Sequence, residues 1–296
     1  MIYFHSATDF YIAGPSAVTL GKFDGIHEGH RLLMQKVCEF ETAGYTSVAF
    51  ALEAGRPPFL MTETEQKEAI ASCHLSAMIR CPFVKEISGM EPDVFVREIL
   101  QKRLNARIVA VGTDFRFGYK RSGDAAFLQK FGSENGFQTI IIPKATYKGR
   151  EISSTYIREK LSEGCMEEAN LMLGAPYSVS GIVLHGAHLG SRLGMPTINL
   201  IPPVEKVLPL NGVYYSKTMI GDRVIDGITN IGRKPTVDGS FTGVETYLYG
   251  ISEDLYGREV TISLLHFVRP EKRFRTIGEL QAQIQEDIAA GREYFS

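Results

Sequence analysis

The stretch "GKFDGIHEGH" (21–30) sets glycines at 21, 25 and 29 and histidines at 27 and 30 between an apolar run and an amphipathic helical pattern. Glycine lets a ligand come close to the backbone. A loop that leads from a strand into a helix gathers backbone N–H groups and the positive end of the helix dipole at one point, a setting for an anion. Three positions apart at the helix start, His27 and His30 can face that anion together and donate hydrogen bonds to charge developing on a phosphoryl group. Phosphate chemistry is therefore the expectation. "GYKRSGD" (118–124) lacks the Gly-Lys-Ser/Thr ending of a P-loop, which disfavours an ATPase of that kind. Zinc would call for further ligands or an HExxH spacing, and that spacing is absent.

A second set lies in "GIVLHGAHLGSRLGMPTINL" (181–200), where glycines at 181, 186, 190 and 194 again suit a close approach of backbone to phosphates. Thr197 and Asn199 alternate on an extended stretch, so their side chains share one side. A hydroxyl and an amide together can ligate Mg2+ that nucleotide phosphates hold in the main. The same pair also serves to stabilise a turn.

The elements that must position these residues have two rhythms. "SAVTL" (16–20), "TSVAFAL" (46–52), "ARIVAVG" (106–112) and "QTIIIP" (138–143) are short runs rich in β-branched residues, as buried parallel strands are. Leu33, Val37 and Phe40 share a helical face between them, and "DVFVREILQKRL" (93–104) reads as a further helix. This βαβα order predicts an α/β domain with an open parallel sheet. After "ANLMLGAPYSVSG" (169–181) come strand-like runs separated by Gly, Pro, Asn and Asp turns, which predict a compact antiparallel all-β barrel. A last helix is capped by Thr276 with Glu279, carries the stripe Ile277, Leu280, Ile284 and Ile288, and stops at Gly291. The Gly-Ala-Pro turn near 175 divides the chain into domains 1–174 and 175–296.

The 296 residues are 44% hydrophobic and 22% charged, enough apolar content for packed cores. A net charge of −2 supplies no field for a polyanion, so no nucleic-acid partner is expected. The first residues lack a leader pattern and no apolar stretch approaches the ~20 residues of a membrane span, so a cytoplasmic location without membrane attachment is expected. Cys38, Cys73, Cys81 and Cys165 form no CxxC pair and read as plain thiols.

"KFDGIHEGH" resembles the HxGH loop of nucleotidyltransferases and is most similar to that of bacterial FAD synthetases. "VGTDFRFGYKRSGD" (111–124) and "ISSTYIREKLSEG" (152–164) match that module's other signatures in order and approximate spacing. The second half resembles the riboflavin kinase module through "GMPTIN", "GVYY", "NIGRKPTV" (230–237), "VETYLYG" (244–250), "DLYG" (254–257) and "VRPEKRF" (268–274). The resemblance implies a Rossmann-like HxGH nucleotidyltransferase domain, then a six-stranded type of antiparallel β-barrel with a C-terminal helix. It departs from the family pattern at "FALEAGRPPF" (50–59), which has no Phe-x-Pro-His-Pro, at Gly250, where many members have Asp, and at Ile198, where many have Ala.

The resemblance implies two ATP-dependent reactions, riboflavin to FMN and FMN to FAD with release of pyrophosphate. In the first half it implies that His27 and His30 contact ATP phosphates within a loop of Gly21, Phe23, Asp24, Gly25 and Gly29. Ser153, Ser154, Thr155 and Arg158 would gather the β- and γ-phosphates, a role compatible with capping a helix. Asp114 and Arg116 are implied on the flavin side. In the second half Glu245 is implied as general base for the ribityl 5′-hydroxyl, Asn230 and Arg269 as flavin contacts, Gly181, Gly186, Gly190 and Gly194 as phosphate contacts, and Thr197 and Asn199 as Mg2+ ligands. Two other readings remain at this point, the same architecture with one working site and a flavin-binding sensor without turnover. The sensor has no use for the phosphate-handling residues.

Overall fold

The computed structural model describes residues 1–53, 55–185, 194–236, 239–251 and 253–296. They fall into two compact units, Met1–Ser154 and Thr155–Ser296.

The first unit is built on a six-stranded parallel sheet of β1 (Ile2–His5), β2 (Ser16–Gly21), β3 (Thr46–Glu53), β4 (Ala77–Pro82), β5 (Ala106–Gly112) and β8 (Gln138–Ile142) in the order β1-β4-β3-β2-β5-β8. The four runs expected as strands are strands of this sheet. The short β1 and β4, with Arg80 in its run, complete it on one side. Side chains alternate between two apolar layers. Val18, Val48 and Phe50 pack on one face with Phe95, Val96, Ile99 and Leu100. Ala17, Ala49 and Ala51 pack on the other with Leu33, Met34, Val37 and Ile70. Both faces are covered, which is why the strands read as continuous apolar runs.

The covering helices are α1 (Glu28–Cys38), α2 (Glu63–Ala71), α3 (Lys85–Ser88), α4 (Pro92–Phe95) and α5 (Ala125–Asn135). The helix expected over 93–104 opens with Pro92 at its first turn and continues from α4 as π-helical turns over Val96–Arg103. The wider turn brings Phe95, Val96, Ile99, Leu100 and Leu104 onto one narrow arc against the sheet. Two small hairpins, β6 (Arg116–Phe117) with β7 (Gly123–Asp124) and β9 (Thr146–Tyr147) with β10 (Arg150–Glu151), follow β5 and β8. The chain winds outward from β2 through β3 to β4 on one side and from β5 to β8 on the other. The switch point of the sheet thus lies between β2 and β5, where open α/β sheets bind ligands.

The second unit opens with α6 (Ser154–Glu163, whose first residue closes the first unit) and α7 (Met166–Leu173). Six antiparallel strands follow: β11 (Tyr177–Ile182), β12 (Thr197–Leu200), β13 (Gly212–Ile220), β14 (Arg223–Thr236), β15 (Gly239–Leu248) and β16 (Glu259–Pro270). Their order is β11-β16-β13-β14-β15-β12, and a bridge from Leu184 to Asn199 joins the two ends of the curled sheet. α7 packs on this sheet, Asn170 Nδ2 donating to Leu264 O (2.8 Å), and α6 holds the segment just before β13, Leu161 O accepting from Leu210 N–H (2.9 Å). Compactness therefore divides the chain ahead of the Gly-Ala-Pro turn.

The last helix, α8 (Ile277–Phe295), runs past Gly291 and does not stop there. Gly291 is buried in its interior against Ile228 and the Tyr249 hydroxyl, and that hydroxyl donates to Ile288 O (2.7 Å). The glycine permits a close approach of helix to sheet, a need that mimics a stop signal in sequence. Thr276 caps as expected, accepting from Glu279 N–H, while Glu279 reaches Arg275 N–H and not the cap's own. Among the described residues no helix is long and apolar enough to cross a membrane.

Candidate active sites

At the switch point of the parallel sheet lies a cavity of about 550 Å³ lined by the 21–30 loop, the ends of β5 and β8, and Ser153 and Ser154. The loop's shape follows from its residues. Phe23 is fully buried at a left-handed φ of 51°, and a side chain on Gly21 would meet its ring. Gly25 stands at φ 69°, and a Cβ there would be 2.6 Å from Leu60 Cδ1. Asp24 accepts from Leu60 N–H through Oδ1 (2.7 Å), and its carbonyl accepts from Ser154 Oγ (2.7 Å). Phe23, Asp24 and Gly25 thus build the loop from beneath.

What the loop holds out is a pair of imidazoles. The rings of His27 and His30 are stacked at 3.7 Å and 19°, with the Phe23 ring edge-on to His30. His30 Nδ1 lies 3.2 Å from Gly25 O, and because a carbonyl only accepts, Nδ1 carries the hydrogen. His27 Nδ1 is buried and has no hydrogen-bond partner among the described residues. Gly29 leaves room for that ring: a Cβ there would stand 3.2 Å from His27 Nδ1 and Cε1. Burial, then the neighbouring His30, pushes His27 down to about 2. Burial also brings His30 down to about 4, against the opposing pull of the Gly25 hydrogen bond and Asp114. At neutral pH the pair is uncharged.

Across the cavity Lys144 Nζ bridges Asp114 Oδ2 (2.9 Å) and Glu151 Oε2 (2.7 Å), and those hydrogen bonds hold its ammonium above the ordinary lysine range. Arg116 donates to Asp124 Oδ2 (2.6 Å), and Asp124 also caps α5 through Phe127 N–H (2.8 Å). Lys22 and Arg121 line the same space, and Phe50, Phe95, Phe115 and Phe117 give it an apolar wall. Asp114 is the one carboxylate among the described lining residues. Lys144 was not singled out in the sequence; the available signal was its place just after a strand end in an α/β sheet. Thr155 and Arg158 follow on α6 and belong to the second compact unit.

In the second unit, strand register sets Asn199, Glu245 and Asn230 directly opposite one another on β12, β15 and β14. Thr197 lies two residues along, and its Oγ1 donates to Glu245 Oε1 (2.8 Å). Lys234 Nζ, also missed in the sequence, donates to Glu245 Oε2 (2.6 Å). The opposite face carries a buried hydroxyl ladder, Ser216–Thr229–Thr246, with both links at 2.8 Å. Gly181 sits within β11 with Leu200 Cδ2 3.0 Å from where its Cβ would be, so strand packing requires it. Gly194 has φ 76°, while Gly186 and Gly190 lie outside the described residues. Arg269 grips Asp287 of α8 through Nε (3.0 Å) and Nη2 (2.6 Å), which ties that helix to β16.

The fold and these sites define an α/β nucleotidyltransferase unit followed by a kinase barrel. A family model described as FAD synthetase matches residues 11–156, and one described as riboflavin kinase matches residues 173–295. The chain is 35% identical to the bifunctional riboflavin kinase/FMN adenylyltransferase of Escherichia coli over 94% of its length and 92% of that protein's. Proteins of the same description from Haemophilus influenzae and Listeria monocytogenes are each 30% identical, covering 95% and 100% of this chain and 94% and 98% of theirs. A crystal structure titled as a macrolide-efflux protein from Streptococcus pneumoniae superposes with a TM-score of 0.90 over 99% of both chains, at 24% identity, a likeness of fold. The chain belongs to the bifunctional riboflavin kinase/FMN adenylyltransferase family.

Proposed function

We propose that the family's two reactions are divided between the two sites, adenylylation of FMN at the cavity of the first unit and phosphorylation of riboflavin along the Asn199–Glu245–Asn230 row of the second. By motif the functional division falls at the Gly-Ala-Pro turn, 1–174 and 175–296, although α6 and α7 are part of the second compact unit. The observation that carries it is the carboxylate of Glu245 between a hydroxyl and an ammonium in one site and the stacked histidines in the other.

Adenylyl transfer needs no base, because the attacking phosphate of FMN is already an anion. It needs neutralisation and alignment as a bond forms to the α-phosphorus and pyrophosphate leaves. His27 and His30, the first N–H groups of α1, and Lys144 supply donors and charge. With Nδ1 bonded to Gly25, His30 donates to a phosphate once Nε2 takes up a proton, which the phosphate's own negative charge favours. Asp114, Arg116 and the phenylalanine wall face the flavin of FMN, and Ser153 steadies the phosphate side.

Phosphorylation of riboflavin does need a base. Glu245 takes the proton of the ribityl 5′-hydroxyl as that oxygen bonds to the γ-phosphorus and ADP departs. Asn230 faces the flavin, and Gly194 the phosphates. Thr197 Oγ1 and Asn199 Oδ1 are neutral oxygen donors, which fits Mg2+ held mainly by nucleotide phosphates, and the described residues contain no cluster of three His, Cys, Asp or Glu to hold a metal alone. When bound, the ion neutralises phosphate charge. Dependence on ATP suits a cytoplasmic location.

The test incubates the purified protein with ATP, Mg2+ and either riboflavin or FMN and separates the flavins by chromatography. FAD from both, with FMN appearing on the way from riboflavin, is expected. FMN as the sole product, or no product with riboflavin, would remove one of the two assignments.

A further inference from the structure

The Glu245 carboxylate is clamped from both ends: Thr197 Oγ1 donates to one oxygen and Lys234 Nζ to the other. The lysine does not reach it by register. Lys234 pairs across the ladder with Phe241, and Glu245 pairs with Asn230, four positions along each strand. To arrive at Glu245 the lysine stem must lie along the face of β15 that Phe241, residue 243 and Glu245 share, since alternate residues of a strand face one way. Residue 243 is glycine. A Cβ there would stand 3.1 Å from Lys234 Cγ and 3.5 Å from Lys234 Cε, so the stem runs across the bare backbone of Gly243. The ammonium, its route and its target are three parts of one arrangement.

We infer that Lys234 is a positioning residue for riboflavin phosphorylation, that it fixes the Glu245 carboxylate in the orientation that receives the 5′-hydroxyl proton, and that Gly243 is the cleared track by which it does so. The inference rests on the reading of Glu245 as the base. With Thr197 alone the carboxylate turns about its Cγ–Cδ bond; with a donor on each oxygen it does not. Small misplacements of a reacting group cost large factors in rate, which sets the size of the effect.

The test measures FMN formation by Lys234→Met, Lys234→Arg and Gly243→Val in the full chain, with riboflavin binding and thermal unfolding as the controls that the second unit is folded and FAD formation from supplied FMN as the control for the first. Lys234→Met is expected to lower kcat by roughly 10- to 100-fold, while KM for riboflavin and for ATP keep their values. Lys234→Arg restores most of the rate, and Gly243→Val, with the lysine intact, reproduces the loss. In a Glu245→Gln background, Lys234→Met removes nothing further, because it acts through the carboxylate. An unchanged kcat in Lys234→Met, a rise in KM for ATP with kcat kept, or a further loss in the Glu245→Gln background would overturn the inference. An unimpaired Glu245→Gln enzyme would instead overturn the reading of Glu245 on which it stands.

Discussion

On the proposed assignment, the two phosphate-handling sites solve different problems with different backbones. The first sets two uncharged imidazoles at the start of a helix at the switch point of a parallel sheet, and the one carboxylate among its described lining residues is paired with Lys144. The second lays its polar groups in a row across antiparallel strands and keeps a carboxylate at the centre. The nucleophiles account for the difference. A phosphate attacks as an anion, so a free carboxylate beside it would only repel; a ribityl hydroxyl must lose a proton, so a carboxylate is required.

The sharpest break in that comparison is Glu245→Gln, which keeps the shape and removes the carboxylate proposed as the base. FMN formation should fall by about 10²- to 10⁴-fold, with FAD formation from supplied FMN unchanged. Equal losses in both would show that the sites are not separate. His27→Ala makes the reciprocal cut: FAD formation should fall by about 10²- to 10³-fold, the loss seen when one preorganised donor is removed, and FMN formation should stay. A fall in riboflavin phosphorylation would sink the assignment of the histidines to the first site alone.

How much of this was readable in the sequence differs between the sites for a physical reason. The HxGH loop is local: strand, glycines, histidines and helix lie within some twenty residues, and their chemistry follows from neighbours along the chain. The Glu245 site is not, because its members meet only through the register of three strands, and Lys234 reaches the carboxylate past Gly243. Lys144 likewise meets Asp114 and Glu151 only because strand ends converge. Buried parallel strands announced themselves by apolar runs, whereas the π-helical turns at Val96–Arg103 carry no periodicity that separates them from an α-helix. Gly291 shows the limit of punctuation residues: stop signal and close-packing site have the same letter.

Lys144 sharpens the comparison from the side of charge. If it serves phosphate neutralisation, Lys144→Met should lower kcat/KM for ATP in FAD formation by about tenfold, or ~1.4 kcal/mol, because it removes a cation and frees the Asp114 carboxylate inside the cavity. Lys144→Arg should keep most of the activity, and FMN formation should not change. An ordinary surface ion pair contributes little, so an unaltered kcat/KM in Lys144→Met would reduce the lysine to that role.

The smallest expected effect lies in stability. Unfolded histidine titrates near 6.5, whereas burial holds His30 to about 4 and His27 to about 2 in the fold. The folded forms therefore refuse protons that the unfolded chain accepts. Above pH 6.5 neither state is protonated and the folded pair costs nothing; as pH falls below 6.5 the unfolded state gains protons and stability is lost, progressively down to about 4 for His30 and further for His27. The carboxylates held low in the same unit, Glu41 by Ser47 and Ser76 and Asp124 by Phe127 N–H and Arg116, add their own losses only below the ordinary carboxylate range. Between pH 6.5 and 5 the two histidines are thus separable from them. Thermal unfolding of the full chain across that interval should show a transition that falls by a few degrees, and His27→Gln with His30→Gln should flatten the dependence, because glutamine does not titrate. A slope that survives the double substitution would place the acid sensitivity elsewhere and leave the histidine pair more exposed to water than its mutual stacking beside the buried Phe23 ring implies.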